Sequence, residues 1–292
     1  MNYLPRPLAS WKVEADALFR DTLALFSSHV NDVRKDMQNG RDVHCFARYI
    51  LDLQKSYELK DEEATFLAGA MYGAGSDTTA DLISTFLLTI TAHPEVLEKA
   101  HEELDAVIGQ ERMPDFADQK DLVYCQAVVQ EILRWRTVIA GGLAHMTTED
   151  DVYEGYFIPK GTTVLANHWA IHLDPETYPE PEKFKPERFI KDGKLVGTKY
   201  SERGHHAFGF GRRICPGIHI GERSMYIVFT RMLWACDIRK ARDEQGNEIP
   251  VDVNAYSEGF SSHPLPFKTD IKSRGPWVDE IVETAMSNLG VK

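Results

Sequence analysis

Positive charge is in short supply: 33 lysines and arginines face 45 acidic residues, leaving a net charge of -12 at neutral pH. Phosphate backbones are held by clustered Lys and Arg, so this balance argues against nucleic-acid binding as the main activity. Cysteine is sparse as well. The four thiols, Cys45, Cys125, Cys215 and Cys236, stand far apart and form no Cys-x-x-Cys pair. That excludes a disulfide framework and indicates a reducing compartment, with at most one cysteine carrying chemistry and the other three buried. Long apolar runs are missing too. The best stretch, Ser84 to Ala92, falls well below the ~20 residues of a membrane span. Met1 to Pro7 shows neither a signal nor a transit pattern, so the chain as it stands reads as cytoplasmic. There are no internal repeats and no low-complexity tract. What is present is ordinary globular material: 292 residues, 43% hydrophobic and 27% charged, enough for a substantial core.

Along the chain, Ala9 to Met37 carries apolar residues at helical spacing, including Val13, Ala17, Phe19, Leu23 and Phe26. Asp61 to Ala92 reads as one unusually long helix, opened by Asp61, Glu62 and Glu63, which suit the positive end of a helix dipole. Pro94 starts a further helix that Gly109 ends, and Leu122 to Arg136 forms another. Asp151 to Asn167 then changes texture, with Gly155, Pro159 and Gly161 among aromatic and β-branched residues, the chemistry of hairpins. Leu173 to Pro186, with Pro175, Pro179 and Pro181, predicts an extended meander. Pro216 opens a last long helix to about Trp234, and Val251 to Phe267 returns to loop and strand. The expected architecture is mainly α with small β-sheets in a single domain over 1–292.

Four features carry chemistry. In the long helix, Gly69, Gly73 and Gly75 together cost roughly 3 kcal/mol against alanine. Small residues there let another helix cross closely or let a large flat group lie on the backbone, and of the two the helix crossing is the commoner. Asp77 and Thr78 follow at the edge of that surface. The second feature is Glu131 with Arg134, which share a helix face. Such pairs are usually solvated, but Val128, Val129, Ile132, Leu133 and Trp135 around them allow burial. Third, Pro186-Glu187-Arg188-Phe189 closes the meander and could offer a second arginine to that pair, though on local evidence a plain turn is the better explanation.

The fourth is Phe208-Gly209-Phe210-Gly211-Arg212-Arg213-Ile214-Cys215-Pro216-Gly217. Cys215 stands before a helix, in a glycine-rich loop beside two arginines, where dipole, charge and loop amides favour a thiolate. A buried structural cysteine, a zinc site and a haem thiolate compete for it. Zinc would recruit His205, His206 and His219 but finds no second cysteine nearby. A catalytic Cys-His pair lacks an orienting motif. The glycine loop with an arginine two positions before the cysteine better suits a planar cofactor with carboxylate arms.

The pattern Phe208-x-x-Gly211-x-Arg213-x-Cys215-x-Gly217 resembles the haem-binding signature of the cytochrome P-450 monooxygenases. Ala74-Gly75-Ser76-Asp77-Thr78-Thr79 is similar to that family's oxygen-binding helix, Glu131-x-x-Arg134 to its buried pair, and Pro186 to Phe189 to its meander arginine. The resemblance covers roughly Asp61 to Phe267, is of fungal type, and assigns the oxygen-binding helix to 61–92 and the haem-cysteine loop to 208–217. It implies haem b with Cys215 as axial thiolate, which pushes electron density onto iron to favour O–O cleavage. Arg213 and His145 would meet the propionates, Phe208 would pack by the sulfur, and Gly211, Ala74 and Gly75 would lie against the haem. Asp77 and Thr78 would deliver protons to dioxygen. Glu131, Arg134 and Arg188 would lock the meander.

Phe66, Ala70, Ala74, Val138 and Phe260 fall in the family's substrate-contact regions and indicate a mainly apolar pocket. The implied reaction inserts one oxygen atom of O2 into a small apolar organic substrate, in secondary metabolism or detoxification. Electrons would come from an NADPH-dependent reductase docking near Arg212. Family members have a long region before the oxygen-binding helix, with most of the main sheet, a Trp-x-x-x-Arg haem contact and, in eukaryotes, an anchor on the endoplasmic reticulum. Here Trp11 is followed by Ala15. The expectation is therefore an N-terminally truncated cytochrome P-450 fold with no membrane span of its own. The alternative is a truncated, non-catalytic member unable to hold haem properly.

Overall fold

The computed structural model describes residues 4–5, 9–196 and 204–288. Its contacts divide into two compact units, Met1–Ser76 and Asp77–Lys292, with the boundary inside a single helix. The first unit holds α1 (Ser10–Gln38), α2 (Phe46–Leu53) and the opening turns of α3 (Asp61–Ala92). Asp61 at the head of α3 accepts hydrogen bonds from Gln54 Nε2 at 2.7 Å and Arg34 Nη2 at 2.8 Å. The Gln54 bond first, and the Arg34 charge second, hold its carboxyl below the usual carboxylate range. Phe66 stacks on Phe19 at 5.2 Å between centroids and meets Phe26 edge-on at 5.8 Å. A β-carbon at Gly69 would overlap the Phe26 ring, so this glycine serves a close crossing of α1 and α3.

α2 is absent from the expectations above. It is only eight residues long and carries no Pro or Gly punctuation. Its N-cap is Cys45, whose Sγ accepts from Arg48 N at 3.4 Å. Cys45 is therefore exposed rather than buried, a correction to the expectation for three of the four thiols. Cys125 is buried and Cys236 partly so, and burial pushes both of their thiols up.

The second unit is built on the rest of α3, with α4 (Pro94–Val107), α5 (Val123–Trp135), α6 (His168–His172), α7 (Ile218–Ala235) and α8 (Pro276–Asn288). Proline at the first position of α4 fixes its start, and Gly109, at φ +69°, turns the chain out of it. The core lies where α3, α4, α5 and α7 meet. Phe86 stacks on Phe229 at 4.3 Å, among Leu97, Leu104, Ile132 and Leu233, all fully buried. Each such side chain contributes about 1.5–3 kcal/mol by leaving water.

Among the described residues the sheets are two-stranded and antiparallel. They pair β1 (His145–Met146) with β4 (Thr163–Val164), β2 (Asp151–Tyr153) with β3 (Tyr156–Ile158), β5 (Ile190–Lys191) with β6 (Lys194–Leu195), and β7 (Cys236–Lys240) with β8 (Thr269–Ser273). The expected hairpin is β2–β3. Its turn residues Glu154 and Gly155 have φ of +49° and +86°, the left-handed pair that matches strand twist. Two boundaries differ from expectation. Pro216 lies before the N-cap Gly217, so α7 starts at Ile218. Val251 to Phe267 is loop with one isolated bridge, Tyr256 to Pro264; the strand follows it as β8, and α8 was not foreseen.

Candidate functional site

Cys215 sits at the foot of α7, partly exposed and in no disulfide. Its N–H donates to Phe208 O at 2.9 Å, folding the segment 208–215 into a closed loop, and Ile218 N returns to Cys215 O at 3.3 Å. Gly209 and Gly211 take φ of +79° and +57° inside that loop, with open space where a β-carbon would stand. On the other side Phe208 packs against the core, and a β-carbon at Gly221 of α7 would come within 3.5 Å of its ring. The loop is thus closed on its core side and open around the thiol. Arg213 is exposed and makes no ion pair among the described residues. His145, in β1, is exposed, with Nδ1 2.9 Å from Leu143 O.

The loop is held from below by a buried ionic network. Glu131 and Arg134 have no exposed side-chain surface, and Arg188 shows 10%. Arg134 grips Glu131 with Nε at 2.7 Å and Nη2 at 2.8 Å. Two further donors go to His172 O at 2.8 Å and Pro181 O at 3.0 Å. Arg188 Nε donates to Glu131 Oε1 at 2.9 Å, as does Lys185 N, while its Nη atoms reach the carbonyls of Pro179, Glu180 and Lys183. Local spacing alone favoured a solvated pair and a plain turn. The proline-rich segment overturns both by wrapping the charges and supplying carbonyls to their spare N–H groups.

A histidine cluster connects that network to the loop, and sequence reasoning named two of its members only as zinc candidates. His172 accepts from His206 N through Nε2 at 2.8 Å, while its own carbonyl takes Arg134. His205 Nε2 lies 2.8 Å from Gln130 Oε1, and His206 stacks on Phe210 at 4.6 Å. Burial first, then the neighbouring His205, His168, His206 and Arg134, lowers His172 to about 2, so its ring is a neutral acceptor. Among the described residues no group of three His, Cys, Asp or Glu could hold a metal ion. His172 closes α6, one residue before the proline-rich segment, and no motif in the sequence marks it.

On the α3 side, the residues of the second unit are Asp77, exposed, and Thr78, half-buried. One turn on, Asp81 lies 3.3 Å from His263 Nδ1. His263 belongs to the loop that carries exposed Phe260, and Ser262 N of that loop donates to Val138 O at 2.9 Å. Asp81 and Val138 are thereby tied to the loop that carries Phe260, although Val138 itself is buried. Asp81 and His263 were not singled out from sequence. In the first unit Ala70, Ala74 and Gly75 are exposed, Gly73 and Gly75 have open space at the β-carbon position, and Phe66 packs among phenylalanines. The small-residue run therefore divides: Gly69 serves a helix crossing, whereas Gly73 and Gly75 leave backbone uncovered.

A planar iron cofactor with two carboxylate arms needs one soft axial ligand, uncovered glycine backbone and hydrogen-bond donors at its rim, one of them a fixed charge. Cys215, the open glycines 209 and 211, and exposed Arg213 and His145 fit haem b on each count. Fold and site together define a protein of the haem-thiolate class. The chain belongs to the cytochrome P-450 family, whose profile matches residues 1–270. It is 42% identical to a cytochrome P-450 monooxygenase of Armillaria gallica over 99% of this chain and 57% of that protein. It is 38% identical to cytochrome P-450 monooxygenase 58 of Postia placenta, over 99% of this chain and 55% of the relative. The same identity links it to cytochrome P-450 monooxygenase anuE of Penicillium roqueforti, over 94% of this chain and 58% of that one. The chain thus spans a little over half the length of these curated relatives. No helix among the described residues is long and apolar enough to cross a membrane.

Proposed function

We propose that this chain carries the haem-thiolate centre of a monooxygenase that inserts one oxygen atom of O2 into a small apolar organic substrate. The observation that supports it most is the path of contacts from buried Glu131 through Arg134, His172 and His206 to the Cys215 loop. That path preforms the loop, so the thiol is presented without an ordering cost when haem is bound. Haem iron, ligated by the Cys215 thiolate, supplies the activation of dioxygen. Arg213 would neutralise one propionate with a charge-assisted hydrogen bond, and His145 would offer a ring N–H to the other. Asp77, exposed to solvent, and the half-buried Thr78 hydroxyl next to it would form the path by which protons pass from solvent towards the oxygen-binding side. In the second unit, Val138 and Phe260 are the residues we assign to the apolar side on which substrate lies. We read 1–292 as part of one such domain, since the family match runs through both compact units. An NADPH-dependent reductase supplies electrons, docking on the exposed surface around Arg212.

The test is a reduced, carbon-monoxide difference spectrum of the purified chain reconstituted with haem. A thiolate-type Soret band, lost in Cys215→Ala, is the expected result. No haem uptake, a neutral-thiol spectrum, or a band that survives in Cys215→Ala overturns the reading.

A further inference from the structure

Two arginines follow one another at the end of α5, and only one of them is neutralised. Arg134 is gripped by Glu131. Arg136, only 4% exposed, lies 3.9 Å over the Trp135 ring and 5.2 Å from the Trp169 ring. Its hydrogen bonds go to neutral acceptors: Trp135 O at 2.9 Å, Asn254 Oδ1 at 2.8 Å and Val253 O at 3.3 Å. No carboxylate among the described residues comes within ion-pair distance of it. A guanidinium has five N–H donors, so two are left over. A buried charge without a counter-charge is costly, and the protein that keeps one gains where an anion is to be bound.

Beside this guanidinium lies a cavity of about 260 Å³, lined by Arg136, Thr137, Trp169, Asn254, Tyr256 and Ser262. At ~30 Å³ per water molecule it has the room of roughly nine, enough for a carboxylate and several carbons. Thr137, 5% exposed, contributes a second orphan, since its buried Oγ1 has no hydrogen-bond partner. The wall therefore offers spare donors and, 5.2 Å from the guanidinium, a flat indole. The cavity also adjoins the proposed substrate wall, because Thr137 precedes Val138 and Ser262 N is bonded to Val138 O at 2.9 Å.

We propose that this cavity holds the carboxylate of a small organic acid, with Arg136 and Thr137 as its donors, so that the substrate of this site is an apolar carbon skeleton bearing one carboxylate. The identification of that acid as substrate rests on the monooxygenase reading above; the anion site itself does not. Aromatic stacking on Trp169 would select a flat or unsaturated carbon skeleton.

Titration calorimetry with benzoate, against its neutral isostere benzamide, tests this on the full chain. Benzoate should bind at least tenfold more tightly than benzamide, and Arg136→Gln should abolish that preference. Thr137→Val, which keeps shape and removes one hydrogen bond, should weaken benzoate by about threefold to tenfold. Cys215→Ala should leave benzoate affinity unchanged, which separates failure of this site from failure of the haem reading. The proposal is overturned by equal affinity for benzoate and benzamide, by no binding of benzoate, or by a preference that persists in Arg136→Gln. Should Arg136→Gln lose its native circular dichroism, Thr137→Val decides, and an unchanged benzoate affinity there overturns the proposal.

Discussion

Replacing Glu131 by alanine removes the acceptor of four hydrogen bonds at once: two from Arg134, one from Arg188 and one from Lys185 N. An exposed pair at this i, i+3 spacing would cost only ~0.2–0.5 kcal/mol to lose. Here both partners on α5 are fully buried and Arg188 nearly so. The variant leaves two guanidiniums in the interior with carbonyls but no counter-charge. The expected loss is about 3–5 kcal/mol, the range for breaking a buried pair from one side. At ~2–4 °C per kcal/mol for a unit of this size, the melting temperature should fall by about 6–20 °C. Urea unfolding followed by circular dichroism measures the first quantity and a thermal scan the second. Adding Arg134→Leu to the Glu131→Ala chain should cost less than the sum of the two single changes, because the second removes a charge the first stranded. A loss below about 1 kcal/mol for Glu131→Ala, or strict additivity with Arg134→Leu, refutes the burial argument.

Three further outcomes are expected. His172, lowered to about 2 in the fold, takes a proton in the unfolded chain below its ordinary value near 6.5. Its contribution is complete above ~6.5 and is lost as pH falls towards the folded value, at up to ~1.4 kcal/mol per pH unit. His172→Gln keeps an acceptor for His206 N and should remove one proton from the acid slope of stability between about pH 6 and pH 4; an unchanged slope contradicts the assignment. Gly69→Ala should destabilise by ~1–3 kcal/mol through its overlap with Phe26 and recover in Phe26→Ala. Gly73→Ala, with nothing near it, should stabilise by up to ~1 kcal/mol, so equal urea midpoints for the two would show that neither glycine is spatially constrained. His263→Ala should free the 257–263 loop from Asp81 and speed hydrogen exchange at Ser262 N, which donates to Val138 O; exchange at the wild-type rate would show that the loop is held elsewhere.

Much of the architecture was legible in linear pattern. The bounds of α3 match Asp61–Ala92, and those of α4 and α5 fall within two residues of expectation, because Pro94, Gly109 and the three leading acids act on their own backbone. α2 and α8 escaped notice: one is very short, and the other follows a segment whose composition already read as loop and strand. The Cys215 loop was legible because the thiol, Arg213 and the glycines lie within ten residues of sequence. His172 and Asp81 were not, since each acts on a partner more than thirty residues away, His206 and His263.

By itself the sequence determined which chemical groups exist and in what local register: a thiol before a helix, an acid three residues from an arginine, glycines along one long helix. Only tertiary structure decided what those groups are worth. It buried Glu131 with Arg134 and wrapped them in the carbonyls of a distant proline-rich segment. It divided three similar glycines between a helix crossing and open backbone, and it left Arg136 charged and unneutralised beside a cavity while Arg134 was matched. The physical reason is that a charge or a small side chain acquires its energy from dielectric and contact. Both are set by residues brought together from far along the chain, and no local pattern records them.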